Sequence, residues 1–242
     1  MKDTMHRLTA LLHEVMVAAD YRVNCSGMGC AGQDSWVSFE AMARGEGFKL
    51  LGCGHFAAVF SHPDLDGYAI KVGFKKDDSG AAYAAYCRAH QGEAGIPNIH
   101  LIKRFSRAYM VVMDLLRSLD DIGRHYCQVC DTYDQQVLDL SYRVSNAVIG
   151  HGILPHEAVM DYVDSHRANE YQPVAHIEMQ YIKELAKTCE SIHNYFKEIA
   201  QFDLHRANVM VNGKGQLVIT DPVSWTVEDD DDNMARLNEA CE

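Results

Sequence analysis

Long apolar runs are missing from this sequence: no stretch approaches the roughly 18 uncharged apolar residues that a membrane-spanning helix needs. Met1-Lys2-Asp3 opens an acidic-polar stretch without the apolar core of a signal peptide, so secretion is not expected and a cytosolic protein is. Positive charge is also short, with 22 Lys and Arg against 34 Asp and Glu and a formal net charge of −12. That balance opposes direct nucleic-acid binding, which depends on neutralising phosphates, and suits a basic partner better. The cysteines number eight but lack a second tight pair. Cys127 and Cys130 have C-x-x-C spacing and Cys25 and Cys30 are looser, so no recognised zinc pattern is completed. Reduced thiols packed as small hydrophobes are expected. Residues 117–173 show neither a repeat nor a catalytic motif, only helical patches at Val137–Val148 and Glu157–Val163. What remains is globular: 242 residues, 48% of them hydrophobic, suffice for one two-lobed domain or two small ones.

The most informative stretch runs from Phe202 to Trp225. Val209–Val211 and Leu217–Thr220 are short β-branched runs, and Asn212-Gly213-Lys214-Gly215 between them is turn chemistry, which predicts a hairpin. Entry and exit of an antiparallel hairpin lie side by side, so Asn208 is expected next to Asp221, with Asp203 on the loop leading in. An amide oxygen and a carboxylate suit Mg²⁺, which keeps several waters and takes other ligands from phosphates. The second carboxylate is left to accept a hydroxyl proton. An ordinary hairpin carrying stray acids is the plain alternative.

Upstream, Phe48–Leu51 reads as a strand running into Gly52-Cys53-Gly54-His55-Phe56-Ala57-Ala58-Val59. Glycines at such a turn let backbone N–H groups approach phosphates, although a simple hairpin turn has the same appearance. The strand Tyr68-Ala69-Ile70-Lys71-Val72 follows, with a lysine among apolar strand formers. Ile99–Phe105 and Ala108–Met113 predict two more strands, about five in all. Met113-Asp114-Leu115-Leu116 ends this region.

Helices are expected in four places. Met5, Leu8, Leu12, Val15, Met16 and Ala19 recur at three- and four-residue steps. After a Gly- and Cys-rich loop at Asn24–Gln33, Asp34 or Ser35 caps a helix carrying Trp36, Phe39 and Met42, stopped by Gly45 and Gly47. A third runs from about Ser79 to His90 and contains no Glu. The last, Val174–Ala200, has Tyr181, Leu185, Cys189, Ile192, Phe196 and Ile199 on one face. A run of five acids, Glu228–Asp232, reads as a solvated tail.

Asp203 with Asn208 resembles the D-x-x-x-x-N catalytic loop of protein kinases, and Asp221 stands where the Asp of D-F-G stands. Gln201-Phe202 replaces the usual His-Arg, and Pro222-Val223 replaces Phe-Gly. The form D-L-H-x-x-N is closer to atypical kinases and to antibiotic and choline phosphotransferases. Gly-x-Gly-x-Phe-x-x-Val resembles the glycine-rich loop with Ala57 for the third glycine, Ala69-Ile70-Lys71 resembles V-A-I-K, and residues 113–116 resemble the hinge. The wording of Gly54-His55-Phe56, Ile70–Lys76, Asp78–Tyr83, Gly95-Ile96-Pro97-Asn98 and Ile219–Trp225 is similar to the early-gene serine/threonine protein kinases of T-seven-type podoviruses (Autographiviridae), over about residues 46–226.

This resemblance implies an α+β, protein-kinase-like two-lobed fold. It divides the chain into an N-terminal helical extension (1–47), an antiparallel-sheet N-lobe (48–116), a reduced, mainly helical C-lobe (117–226) and an acidic tail (227–242). It implies ATP and Mg²⁺ as cofactors. Gly52, Gly54 and Lys71 would hold phosphates, Val59 would line the nucleotide, and backbone groups of Asp114 and Leu116 would meet adenine. Asn208 and Asp221 would bind Mg²⁺, Asp203 would be the catalytic base with Lys71 as its catalytic partner, and His205 would buttress the loop. Asp78, or else Glu93, would stand in for the missing helix Glu. The implied activity is phosphorylation of host bacterial proteins in the host cytoplasm during takeover or defence evasion. A second, strongly basic domain tied to shutting off host transcription has no counterpart, so that activity is not carried over. Two other classes stay open: a small-molecule phosphotransferase, favoured by D-L-H-x-x-N, and a non-catalytic binding protein of kinase shape, suggested by the missing Glu.

Overall fold

Helix α1, Lys2–Ala18, follows from its apolar spacing: Met5, Leu8, Leu12, Val15 and Met16 lie buried on one face, with Thr9 among them. The Thr9 hydroxyl is satisfied locally, donating to the Met5 carbonyl at 2.9 Å. The helix stops at Asp20, whose φ of 46° is left-handed. There the Asp20 N–H donates to Val17 O and the Tyr21 N–H to Met16 O, the paired bonds of a Schellman turn. Helix α2, Asp34–Gly45, ends in the same way, with Gly47 left-handed, its N–H on Arg44 O and the Phe48 N–H on Ala43 O. The two turns direct Tyr21 and Phe48 into one core. Trp36 and Phe39 are buried as expected, but Met42 is 38% exposed and Ala43 takes the inward position. A 3–4 stepping from Phe39 reaches 43 as readily as 42, and Ala43 joins the same buried cluster as Phe48.

The computed structural model describes residues 1–21, 34–54, 56–74, 79–118, 157, 176–202 and 208–224. The Asn24–Gln33 loop, His55, Asp78, Cys25, Cys30, Cys127, Cys130, the helical patches of 137–163 other than Glu157, Asp203, His205 and the acidic tail lie outside the described residues. The chain forms an α+β structure in two compact units, one of Met1–Ala89 and Asn98–Leu115, the other of His90–Pro97 and the described part of Leu116–Arg236.

In the first unit five strands form one antiparallel sheet: β1 Lys49–Cys53, β2 Ala57–Ser61, β3 Tyr68–Gly73, β4 Ile99–Arg104 and β5 Tyr109–Asp114. Their order is β1-β2-β3-β5-β4. Side chains alternate between faces. Ala58, Phe60, Ile70, Val72, Met110 and Val112 belong to the same buried cluster as α1 and α2. Each fully buried Leu, Val or Met there contributes about 1.5–3 kcal/mol of hydrophobic stabilisation. Helix α3, Ser79–Ala89, is Ala-rich with Tyr83 and Tyr86 buried, and runs against β4.

The second unit contains helix α4, His176–Phe196, whose Leu185, Cys189, Ile192 and Phe196 are buried at the predicted spacing. Burial pushes the Cys189 thiol up to about 12, so it behaves as a hydrophobe. Two small sheets follow. In one, β6 Arg117–Ser118 pairs with β8 Val209–Val211, which pairs with β9 Leu217–Ile219. In the other, β7 Gln201–Phe202 pairs with β10 Val223–Ser224.

Candidate functional site

Lys71 sits at the middle of β3. Its register partner on β2 is Val59, whose partner on β1 is Gly52; on the other side it faces Val111 of β5. Directly paired residues share a face. Gly52, Val59 and Lys71 therefore form one row across three strands, on the face opposite the α1–α2 core. A register shift between Leu50 and Gly52 brings the glycine into that row. The connection from β1 to β2 closes through the Gly54 N–H on Ala57 O at 2.8 Å, and the Phe74 N–H ties its other end to Phe56 O at 2.9 Å.

The two loop glycines are not needed for the fold. Neither is left-handed, no described atom lies within 4 Å of a Cβ built at Gly52, and one at Gly54 meets only Ala57 O at 3.8 Å. Gly73 differs: a Cβ there would lie inside the Tyr109 ring, its register partner. The open space over Gly52 and Gly54 is what close approach of a phosphate to backbone N–H groups demands. Cys53, between them, is disulfide-bonded, which corrects the expectation of reduced thiols throughout; Cys87 and Cys189 are free and buried.

At the end of β5, Asp114 is held from several directions. His100 Nε2–H donates to its Oδ1 at 2.6 Å and Asn98 Nδ2 to its Oδ2 at 2.7 Å. The Asp114 N–H points to Asn98 O at 3.3 Å, and the Leu115 N–H donates to Gly67 O at 2.9 Å. The sequence suggested backbone roles for this segment; the carboxylate clasp by Asn98 and His100 was missed. Leu116 lies in the second unit, just before β6.

In that second unit the hairpin forms as its turn chemistry requires. Asn212 Oδ1 accepts from the Lys214 and Gln216 N–H groups at 2.9 and 3.0 Å, and Gly215 is left-handed with its N–H on Asn212 O. At the open end the Thr220 N–H donates to Asn208 O at 2.9 Å, so Asn208 and the residue before Asp221 share one rung. One step further, Val223 pairs with Phe202, which immediately precedes Asp203. On the outer edge the Ile219 N–H donates to Gly95 O at 2.8 Å. Amide oxygen and carboxylate on neighbouring backbone suit a hard cation such as Mg²⁺. Glu93, one of the two acids weighed as a lysine partner, accepts from His90 Nδ1 at 2.8 Å.

A family model described as bacteriophage T7 protein kinase 0.7 matches residues 4–240, nearly the whole chain. The chain belongs to this phage protein kinase family. Its kinase function rests on that membership, and no curated protein matches it. Among the described residues of this kinase, no helix is long and apolar enough to cross a membrane. The described residues that the sequence singled out fall into two groups: Gly52, Gly54, Val59, Lys71 and Asp114 in the first unit, and Leu116, Asn208 and Asp221 in the second.

Proposed function

We propose that this phage kinase transfers the γ-phosphoryl group of ATP to serine or threonine hydroxyls of host bacterial proteins, in the host cytoplasm, with the two units acting as the lobes of a protein kinase. The observation that carries the reading is the Gly52–Val59–Lys71 row beside two glycines that the fold itself does not require. A cation on a central strand, with open space over the neighbouring loop glycines, fits a polyphosphate.

In this mechanism Lys71 and the loop backbone at Gly52 and Gly54 hold the ATP phosphates, while Val59 packs beside the base and sugar. Backbone groups of Asp114 and Leu116 meet the adenine edge. Asn208 and Asp221 would hold Mg²⁺, which when bound neutralises charge on the phosphate oxygens. Asp203 accepts the proton of the attacking hydroxyl and orients it for in-line displacement. Positioning and charge neutralisation supply most of the acceleration. The Phe202–Val223 pairing supports this assignment because it ties the strand leading to Asp203 to the strand leaving Asp221.

The test is to incubate purified protein, wild type and Asp203→Ala, with radioactive ATP, Mg²⁺ and a bacterial lysate. Many labelled protein bands with wild type, and loss of labelling in Asp203→Ala with ATP binding retained, are expected. Equal labelling by the variant would sink the role of Asp203. ATP consumption without labelled protein would favour a small-molecule acceptor, and no ATP consumption would favour a non-catalytic protein.

A further inference from the structure

The sheet register is regular through β5 except at one place. Ile99 pairs with Met113 but Leu101 pairs with Val112, so His100 is an extra residue in β4. Such bulges re-aim a side chain that a regular strand would send elsewhere. Here the re-aimed imidazole reaches the Asp114 carboxylate at 2.6 Å, and its ring stands edge-on to Tyr68, the β3 partner of Asp114, with centroids 4.9 Å apart. Asn98 completes the grip through both its side-chain amide and its carbonyl.

A carboxylate at a strand end needs no such attention for the fold, because it is partly exposed and water would serve it. What the clasp fixes is the backbone at Asp114, whose N–H is already directed to Asn98 O, while the next N–H, that of Leu115, is taken by Gly67 O. We infer that His100 and Asn98 are positioning residues for the nucleotide: by clasping Asp114 they preorganise the backbone group that meets adenine, and so set the affinity for ATP. This rests on the ATP-binding reading above. Neither residue touches the reacting phosphate, so the effect belongs to ground-state and transition-state binding alike. A floppy Asp114 would have to be ordered by each incoming ATP, at a cost in affinity.

The experiment measures KM for ATP and kcat from initial labelling rates, together with thermal unfolding without nucleotide, for wild type, His100→Ala, His100→Gln and Asn98→Ala. His100→Ala is expected to raise KM for ATP about tenfold with kcat within about twofold, the pattern of lost uniform binding. His100→Gln, which keeps an N–H donor, should recover most of the loss, and Asn98→Ala should shift KM in the same direction by less. An unchanged KM in His100→Ala, with only a lower unfolding temperature, would mean a purely structural clasp and overturn the inference. So would a KM raised equally in the Ala and Gln variants. A wild-type protein that binds no ATP would overturn the site reading itself, and that result is distinguishable because it precedes any comparison of variants.

Discussion

The amide of Thr220 donates to the carbonyl of Asn208 at 2.9 Å, one residue before Asp221. That bond makes the separation of Asn208 and Asp221 a property of a backbone ladder and not of two independent loops. The ladder is short, three residue pairs from Val209–Ile219 to Val211–Leu217, so its turn matters. Asn212→Ala removes an acceptor serving two N–H groups and is expected to cost about 1–2 kcal/mol. The same change should raise the Mg²⁺ concentration needed for half-maximal labelling, whereas Asn212→Asp, which keeps the acceptor, should do little. Thermal unfolding and a Mg²⁺ titration check both.

Gly52 and Gly54 offer a cleaner separation of fold from function. Because the space above them is open and their φ angles are ordinary, Gly52→Ala and Gly54→Ala are expected to leave the unfolding temperature within about 2 °C of wild type. Their methyl groups would occupy the space assigned to phosphate, so KM for ATP should rise about fivefold or more. A large loss of stability would show that the glycines serve the fold after all.

Asp20 holds a left-handed conformation that costs a residue with a Cβ about 1–2 kcal/mol. Asp20→Gly should therefore stabilise the protein by a fraction of that, about 0.5–1 kcal/mol, since glycine also gains freedom when unfolded. The side chain's ion pair with Arg107 at 3.8 Å is exposed and adds little. A raised midpoint in chemical denaturation is the expected reading.

His13 of α1 stacks on Phe105 with ring centroids 3.9 Å apart, and its Nε2 is buried without a partner among the described residues. Burial lowers its pKa below 6.5, and the nearby Lys103 lowers it further, against an opposing pull from Glu14. The folded protein thus holds fewer protons than the unfolded one between the lowered value and the ordinary value. The stability contribution is complete above the ordinary value and is lost as pH falls through the lowered one. Thermal unfolding from about pH 7.5 down to about pH 5 should show a decline that is shallower in His13→Phe, which keeps the stack.

Much of this was legible in the sequence where a local rule acted alone. Asn212-Gly213-Lys214-Gly215 specifies its turn through one side-chain acceptor and one left-handed glycine, and Gly47 closes α2 by the same kind of local chemistry. Lys71 stood out because a charge amid strand formers is costly without a purpose. What escaped depends on pairing across long separations. The match of Phe202 with Val223 joins dipeptides too short to carry a period. The clasp on Asp114 depends on a bulge at His100 that no local composition announces, and only its Asn98 member lay in a stretch already singled out. Which of Met42 and Ala43 turns inward could not be read, because helical spacing tolerates either.

The placement of α1 and α2 has one more implication. Ile70 and Val72 flank Lys71 in β3 and point into the cluster those helices complete. Shortening the protein to its motif-bearing region by cutting before residue 48 would strip the lid from the reverse side of the very strand that presents the lysine. Helices α1 and α2 bury the reverse face of this strand, and catalysis and solubility should disappear together when they are deleted.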